Sequence, residues 1–188
     1  MVFREMERIC TERLCLRKQC MEDVQDYFDR IGSRPEVTAG MLWEPHQDIS
    51  DSRASVEKAL RRYEAGKCYR WAIDLDGVGL IGIIELLGFD ENADTCSFAY
   101  MLCPDYWGKG YGTEALRAVL DFAFSKLEVK RVVVDHFTSN PASGAVMRKA
   151  GMIYQGIVPD KYEKQGKKLD AALYAITKEE FYQKNALD

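Results

Sequence analysis

The chain has little with which to build a metal site. It contains only two histidines, His46 and His136, in 188 residues, and its six cysteines include no C-x-x-C pair. Structural zinc draws on clustered cysteine and histidine ligands, so no metal is expected. Cys10, Cys15, Cys20, Cys68, Cys96 and Cys103 are expected to be free, mostly buried thiols of a reducing compartment. No uninterrupted apolar run approaches the roughly 20 residues of a membrane helix. The opening MVFREMERICTER is too charged for a signal peptide. A cytoplasmic protein with no membrane partner is expected. Proline is scarce, at 5 residues, and no repeat or Pro/Ser-rich linker interrupts the chain. A single domain over 1–188 follows. Basic residues are not in excess: 26 Lys and Arg face 30 Asp and Glu, for a net charge of −4. That balance argues against a direct nucleic-acid partner. No Gly-Lys-Ser/Thr occurs, which removes a Walker-type phosphate loop.

What is present is hydrophobic periodicity. Residues 11–17 alternate as a strand, and Val24, Tyr27, Phe28 and Ile31 take helical spacing up to Gly32. Residues 33–50 read as irregular, and a second helix carries Val56, Ala59, Leu60 and Tyr63 on one face, stopping at Gly66. The period then changes to two. YRWAIDL and VGLIGIIELL form a hairpin about Asp76-Gly77, and TCSFAYMLC is a third strand stopped by Pro104. A long amphipathic helix follows, with Leu116, Val119, Leu120, Ala123 and Leu127 on one face. RVVVDHF must lie parallel to TCSFAYMLC because a helix joins them. A short helix at 141–150, a strand near 152–158, a lysine-rich turn and the strand LDAALYAI complete the sheet. Thr177 and Glu180 offer a capping box for a last helix. The order β-α-α-β-β-β-α-β-α-β-β places the chain in the α+β (mixed α/β) class. It implies a mostly antiparallel sheet of about seven strands with one parallel pair.

The stretch DYWGKGYGTEAL puts Gly108, Gly110 and Gly112 at the mouth of the long helix. Glycines there can turn backbone N–H groups outward, and the first turn of a helix leaves its donors unpaired. Together they make an anion site suited to a pyrophosphate; a merely flexible turn is the alternative. A dinucleotide fold would need G-x-G-x-x-G directly after a strand. The G-x-G-x-G found here follows an antiparallel meander at too great a distance from its strand.

YMLCPDYWGKGYGTEAL, followed by RVVVDHFTSNPASGAVMRKAGM, resembles the acetyl-CoA signature of the GNAT superfamily of N-acetyltransferases. It is similar above all to the branch of ribosomal-protein N-terminal (alanine/serine) acetyltransferases. The likeness extends to TERLCLRK, to Trp43, Pro45 and His46, and to Asp170 and Tyr174 in the closing strand. It implies the GNAT fold, in which the parallel pair is splayed and helices cover both faces. It also implies acetyl-CoA as co-substrate. Trp107, Gly108, Lys109, Gly110, Tyr111, Gly112 and Thr113 would hold the pyrophosphate, and Met101, Leu102 and Cys103 would offer backbone groups to the pantetheine arm. Asn140 and Ser143 would contact the cofactor. Ser143 would protonate the leaving thiolate; capping the helix at 141 is its other reading. Transfer would proceed by direct attack, with no covalent role for Cys103.

The base is open, because Ser97 or Cys96 stands where many relatives carry glutamate. Glu85, an acid within an apolar run, is the candidate from the residues themselves. Trp43, Glu44 and His46 are candidates for the acceptor site. His136 reads as a packing or surface residue, and the lysines around Gln165-Gly166 as a solvated tip. Arg148 and Lys149 are candidates to meet the cofactor's 3′-phosphate. The acceptor is an amine, either a protein N-terminus such as that of a ribosomal protein or a small molecule, and the chain is a monomer or homodimer. A CoA-binding module without turnover and a dinucleotide oxidoreductase are the competing readings.

Overall fold

The computed structural model describes residues 5–185. In chain order its elements are β1 (Ile9–Cys10), β2 (Leu14–Lys18), α1 (Val24–Tyr27), α2 (Pro35–Thr38), α3 (Ile49–Glu64), β3 (Cys68–Leu75), β4 (Gly79–Asp90) and β5 (Thr95–Leu102). Then come α4 (Tyr111–Ser125), β6 (Arg131–Phe137), α5 (Pro141–Lys149), β7 (Ile153–Lys164), β8 (Lys167–Thr177) and α6 (Lys178–Asn185). The eight strands form one sheet in the order β1-β2-β3-β4-β5-β6-β8-β7. Only β5 and β6 run parallel; all other neighbours are antiparallel.

The sheet is mixed because its first half grows through turns and its second through a helical crossover. β3 and β4 meet at Asp76-Gly77, where Gly77 adopts φ 70°. β5 reaches β6 only by way of α4. Alternation sorts the side chains between two layers. Trp71, Ile73, Ile84 and Leu86 pack with α4 residues Leu116, Val119, Leu120 and Ala123 on one face. Ala72, Leu80, Ile83 and Met101 pack with Tyr27, Ile31, Val37 and Val56 from α1 to α3 on the other. Burying one such aliphatic side chain contributes about 1.5–3 kcal/mol. Both faces are covered, and no helix among the described residues is long and apolar enough to cross a membrane.

Four departures from the sequence reading have local causes. The eighth strand is the two-residue β1, paired with β2. The segment 33–50 holds α2, because Pro35 sits at a first helical position, where its missing N–H costs nothing. β7 runs on to Lys164, and its proline, Pro159, lies within a register shift of an edge strand, where a lost ladder bond is tolerated. Finally, the thiols divide evenly: Cys68, Cys96 and Cys103 are buried, Cys10 is exposed, and Cys15 and Cys20 lie between. The expected capping box is present. Glu180 N–H donates to Thr177 Oγ1 at 3.2 Å, and Thr177 N–H to Glu180 Oε2 at 2.8 Å.

Candidate active site

β5 and β6 are bridged only at Thr95–Arg131 and Cys96–Val132. Beyond that point each keeps only its outer partner, β4 or β8, and a wedge opens between them. Which groups face the wedge follows from parity. Cys103 N–H donates to Ile81 O at 2.8 Å, on the β4 side. Successive residues of a strand aim their backbone groups to opposite edges. Met101 therefore also faces β4, and Tyr100 and Leu102 face the wedge. Of the three residues expected to present backbone groups to a ligand, only Leu102 does so, and its carbonyl already accepts Trp107 Nε1–H at 2.7 Å. Met101 still lines the cleft, while Cys103 does not. Burial pushes the Cys103 thiol up, which does not suit a nucleophile.

The wedge continues into a cleft of about 280 Å3, with the glycine loop at one end. Gly108 at φ 73° and Gly110 at φ 86° occupy the left-handed region, which a side chain at either position would strain. A Cβ on Gly110 would also come within 3.3 Å of Arg13 Nη2. Glu114 N–H to Gly110 O, at 3.0 Å, is the first hydrogen bond of α4. Among the described residues, the amides of Gly108 through Thr113 donate to no protein acceptor. Five of these six residues line the cleft, at the positive end of a 15-residue helix, an arrangement suited to an anion. Lys109 lies outside the cleft lining, its ammonium turned to Asp105 O at 2.9 Å.

The outer side of this loop is held by the turn between β1 and β2. Arg13 donates to Lys109 O at 3.1 Å and to Glu114 Oε2 at 2.7 Å, with its guanidinium 4.5 Å from the Tyr111 ring centre. Glu114 also accepts from Thr11 Oγ1 at 2.6 Å and from Arg13 N at 3.0 Å. Burial alone would push the Glu114 carboxyl up, but these bonds hold it below the usual carboxylate range. Arg13 thereby ties the Lys109 carbonyl of the loop to the first turn of α4.

Asn140 caps α5, its Oδ1 accepting from Ser143 N at 3.3 Å. Ser143 Oγ accepts from Tyr100 O–H at 3.3 Å, and both residues line the cleft. Burial pushes the Tyr100 phenol up, against the smaller effect of Ser143, so it is a neutral donor. The Ser143 hydroxyl thus sits at the cleft within hydrogen-bond reach of Tyr100.

The opposite end is bounded by Val37 and Met41. Lys164, from the tip of the β7–β8 hairpin, donates to Thr38 O at 2.8 Å and to Met41 O at 2.9 Å. The lysine cluster is thus not uniformly solvated. Lys161 is also engaged, by Asp135. Of the acceptor-site candidates, none lines the cleft. Trp43 packs on His46 with ring centres 4.9 Å apart, and His46 Nδ1 lies 2.7 Å from Ser52 Oγ. Glu44 is exposed, 4.0 Å from Lys164 Nζ. They support the segment that forms this wall. Glu85 is also outside the lining, buried beneath α3 with its oxygens 3.6 Å from Arg62 and from Arg70. No carboxylate lines the cleft, and no group of three or more metal-ligating side chains occurs among the described residues. Arg148 is turned away, donating to Tyr174 O–H at 2.7 Å, while Lys149 reaches the cleft. His136 stacks on Tyr174 at 5.6 Å.

The arrangement fits acetyl-CoA. Free amides at one end would suit a diphosphate, the unpaired strand edge would suit an amide-containing arm, and the Ser143 hydroxyl lines the same cleft. Sequence reasoning missed Tyr100, Tyr106, Val37 and Met41. Parity counted back from Pro104 could have singled out Tyr100; nothing in the pattern marks the other three.

Comparison with known proteins agrees with this geometry. The chain is 31% identical over 178 residues to the uncharacterized N-acetyltransferase YnaD of Bacillus subtilis, covering 92% of this chain and 98% of that protein. Two solved structures share the fold. Spermidine N-acetyltransferase from Vibrio cholerae, in complex with CoA and spermine, superposes with a TM-score of 0.80 at 17% identity, over 92% of this chain and 99% of the other. RimL, a ribosomal L7/L12 alpha-N-protein acetyltransferase in complex with coenzyme A, gives 0.83 at 18% identity, over 91% and 98%. Residues 13–153 match the family described as the acetyltransferase (GNAT) domain, and the chain belongs to that family of acetyl-CoA-dependent N-acetyltransferases.

Proposed function

We propose that the enzyme acetylates an α-amine, of the kind found at a peptide N-terminus, in preference to a lysine-like or polyamine nitrogen. Among the described residues no carboxylate lines the cleft, and that observation carries this reading. Direct attack needs a neutral amine. A lysine-like nitrogen, with a pKa near ~10.4, would need a base to lose its proton, whereas an α-amine near ~8 is substantially neutral at physiological pH. The fold neighbour that acts on a ribosomal protein's α-amine is compatible with this choice; the neighbour that holds spermine is the competing precedent.

In this reading the amides of Gly108 to Thr113 grip the pyrophosphate of acetyl-CoA. The β6-facing groups of Tyr100 and Leu102 hold its pantetheine arm. The acceptor enters past Val37 and Met41, and its nitrogen attacks the thioester carbonyl carbon. The tetrahedral intermediate loses its ammonium proton to solvent, the carbon–sulfur bond then breaks, the sulfur takes the Ser143 Oγ proton, and a proton from solvent restores the serine hydroxyl. Tyr100 O–H holds Ser143 in position during the transfer. Glu85, paired with two arginines, holds α3 to the sheet.

The test is thiol release from acetyl-CoA across a panel of N-terminal peptides, free lysine derivatives and polyamines, each over a pH range. A peptide α-amine with the highest kcat/KM, and a rate rising to a plateau near pH 8, is the expected result. Preference for spermidine would overturn the α-amine assignment. Acetyl-CoA binding without release on any acceptor would favour a binding module.

A further inference from the structure

The turn that braces the glycine loop also carries two thiols. Cys10 on β1 and Cys15 on β2 are directly opposed, with sulfurs 3.5 Å apart. Thr11 N–H donates to Leu14 O at 2.9 Å, so the next pair along the ladder is non-hydrogen-bonded. Facing Cα atoms at such a position approach to about 4.5 Å with their side chains toward one another. That spacing falls within the ~4.4–6.8 Å a disulfide spans. Cys10 is exposed and Cys15 half-buried, so an external oxidant can reach them. Arg8 Nε–H points to Cys15 Sγ at 2.6 Å, setting positive charge beside a sulfur that gathers negative charge during exchange.

We propose that Cys10 and Cys15 are a redox modification site, closing reversibly into a disulfide with a low-molecular-weight disulfide such as oxidised glutathione as oxidant. Cys15 gives its proton to solvent and its sulfur attacks one sulfur of the oxidant, whose S–S bond breaks to release one thiolate. Cys10 loses its proton in turn and attacks the Cys15 sulfur of the mixed disulfide, releasing the second thiolate. The two released thiolates take up two protons. The protein pair is thereby oxidised and the glutathione disulfide reduced to two thiols.

The four residues inside the closed ring include Thr11 and Arg13, the two that hold Glu114 and Lys109 O. Closing the ring restrains the fraying of a two-residue strand and keeps Arg13 on the loop. The oxidised enzyme then binds acetyl-CoA about 2–3-fold more tightly, through pre-organisation. This consequence rests on the phosphate-cradle reading above; the disulfide itself does not.

The full chain, with Cys20→Ser to remove the remaining partly exposed thiol, is equilibrated over a series of reduced-to-oxidised glutathione ratios, alkylated and digested with trypsin. Because cleavage after Arg13 separates the two cysteines, a disulfide is read as two peptides that stay joined until dithiothreitol is added. The joined pair is expected. With Cys10→Ser or Cys15→Ser, the partner thiol is expected to stop as a glutathione mixed disulfide. A chain with both thiols present that stops at the mixed disulfide, or stays fully alkylatable at the most oxidising ratio, overturns the proposal. Calorimetry on both redox forms separates the rest. Equal acetyl-CoA affinities contradict the coupling to the loop. Absence of binding in both forms contradicts the phosphate cradle and leaves the disulfide result standing.

Discussion

At its glycine end the cleft is made of backbone, and at its far end of side chains borrowed from distant segments. The first end needs only two residues at positive φ, one helix terminus and a brace from Arg13. The second needs α2, the loop around Met41, and Lys164, which lies more than a hundred residues further along the chain. A backbone cradle recognises what every acetyl-CoA shares. A side-chain wall can be rebuilt to admit a different amine without disturbing the cradle. On the reading proposed above, cofactor and acceptor recognition are separable, and substitutions can break that separation or sharpen it.

The largest effect is expected from Gly110→Glu, which combines ~1–3 kcal/mol of left-handed strain with a charge that repels phosphate. Acetyl-CoA affinity measured by calorimetry should fall at least ~100-fold. Ser143→Ala should lower kcat by about 100-fold or more, the usual worth of a positioned proton donor, with acetyl-CoA Kd almost unchanged. A wild-type kcat would reduce Ser143 to its place in α5. Arg13→Ala should weaken acetyl-CoA about 5–10-fold, roughly the net worth of one ordinary hydrogen bond, while leaving the acceptor KM alone. Lys164→Met should do the reverse, raising the acceptor KM about 3–5-fold with acetyl-CoA Kd unaltered. An effect of either change on both substrates would show that the two ends are coupled.

The smallest effect concerns the support of the acceptor wall. Burial holds the His46 imidazole below its usual range, with Arg70 acting in the same direction and Asp51 against it. As pH falls through about 6.5 the unfolded chain takes up that proton first, so stability is complete above this range and declines toward the lower folded pKa. Thermal denaturation should show Tm dropping across the window, and His46→Gln should flatten that part of the profile.

The same division explains what could be read without coordinates. β3, β4, β5 and α4 announce themselves by period and by Asp76-Gly77, because local patterning and turn chemistry decide them. The glycine loop is legible for the same reason: positive φ and a helix start are local properties. Parity in β5 is not local. Whether Met101 or Tyr100 faces β6 depends on register with β4, which places the backbone groups of Met101 and Cys103 on the β4 side. Glu85 looked like an active-site acid because its own strand is apolar, whereas Arg62 and Arg70, which pair with it, come from α3 and β3. Lys164 looked solvated because the carbonyls that receive it lie in an unpatterned segment. The Arg13 brace joins residues almost a hundred positions apart, a contact that spacing cannot reveal.

The most direct test observes the loop amides themselves. With 15N-labelled enzyme, acetyl-CoA should shift the amide resonances of Gly108, Gly110 and Gly112 strongly. Acetyl-pantetheine, which lacks the diphosphate, should move Tyr100 and Leu102 but leave those glycines in place. Glycine amides that stay unmoved by saturating acetyl-CoA would show that the diphosphate is held elsewhere.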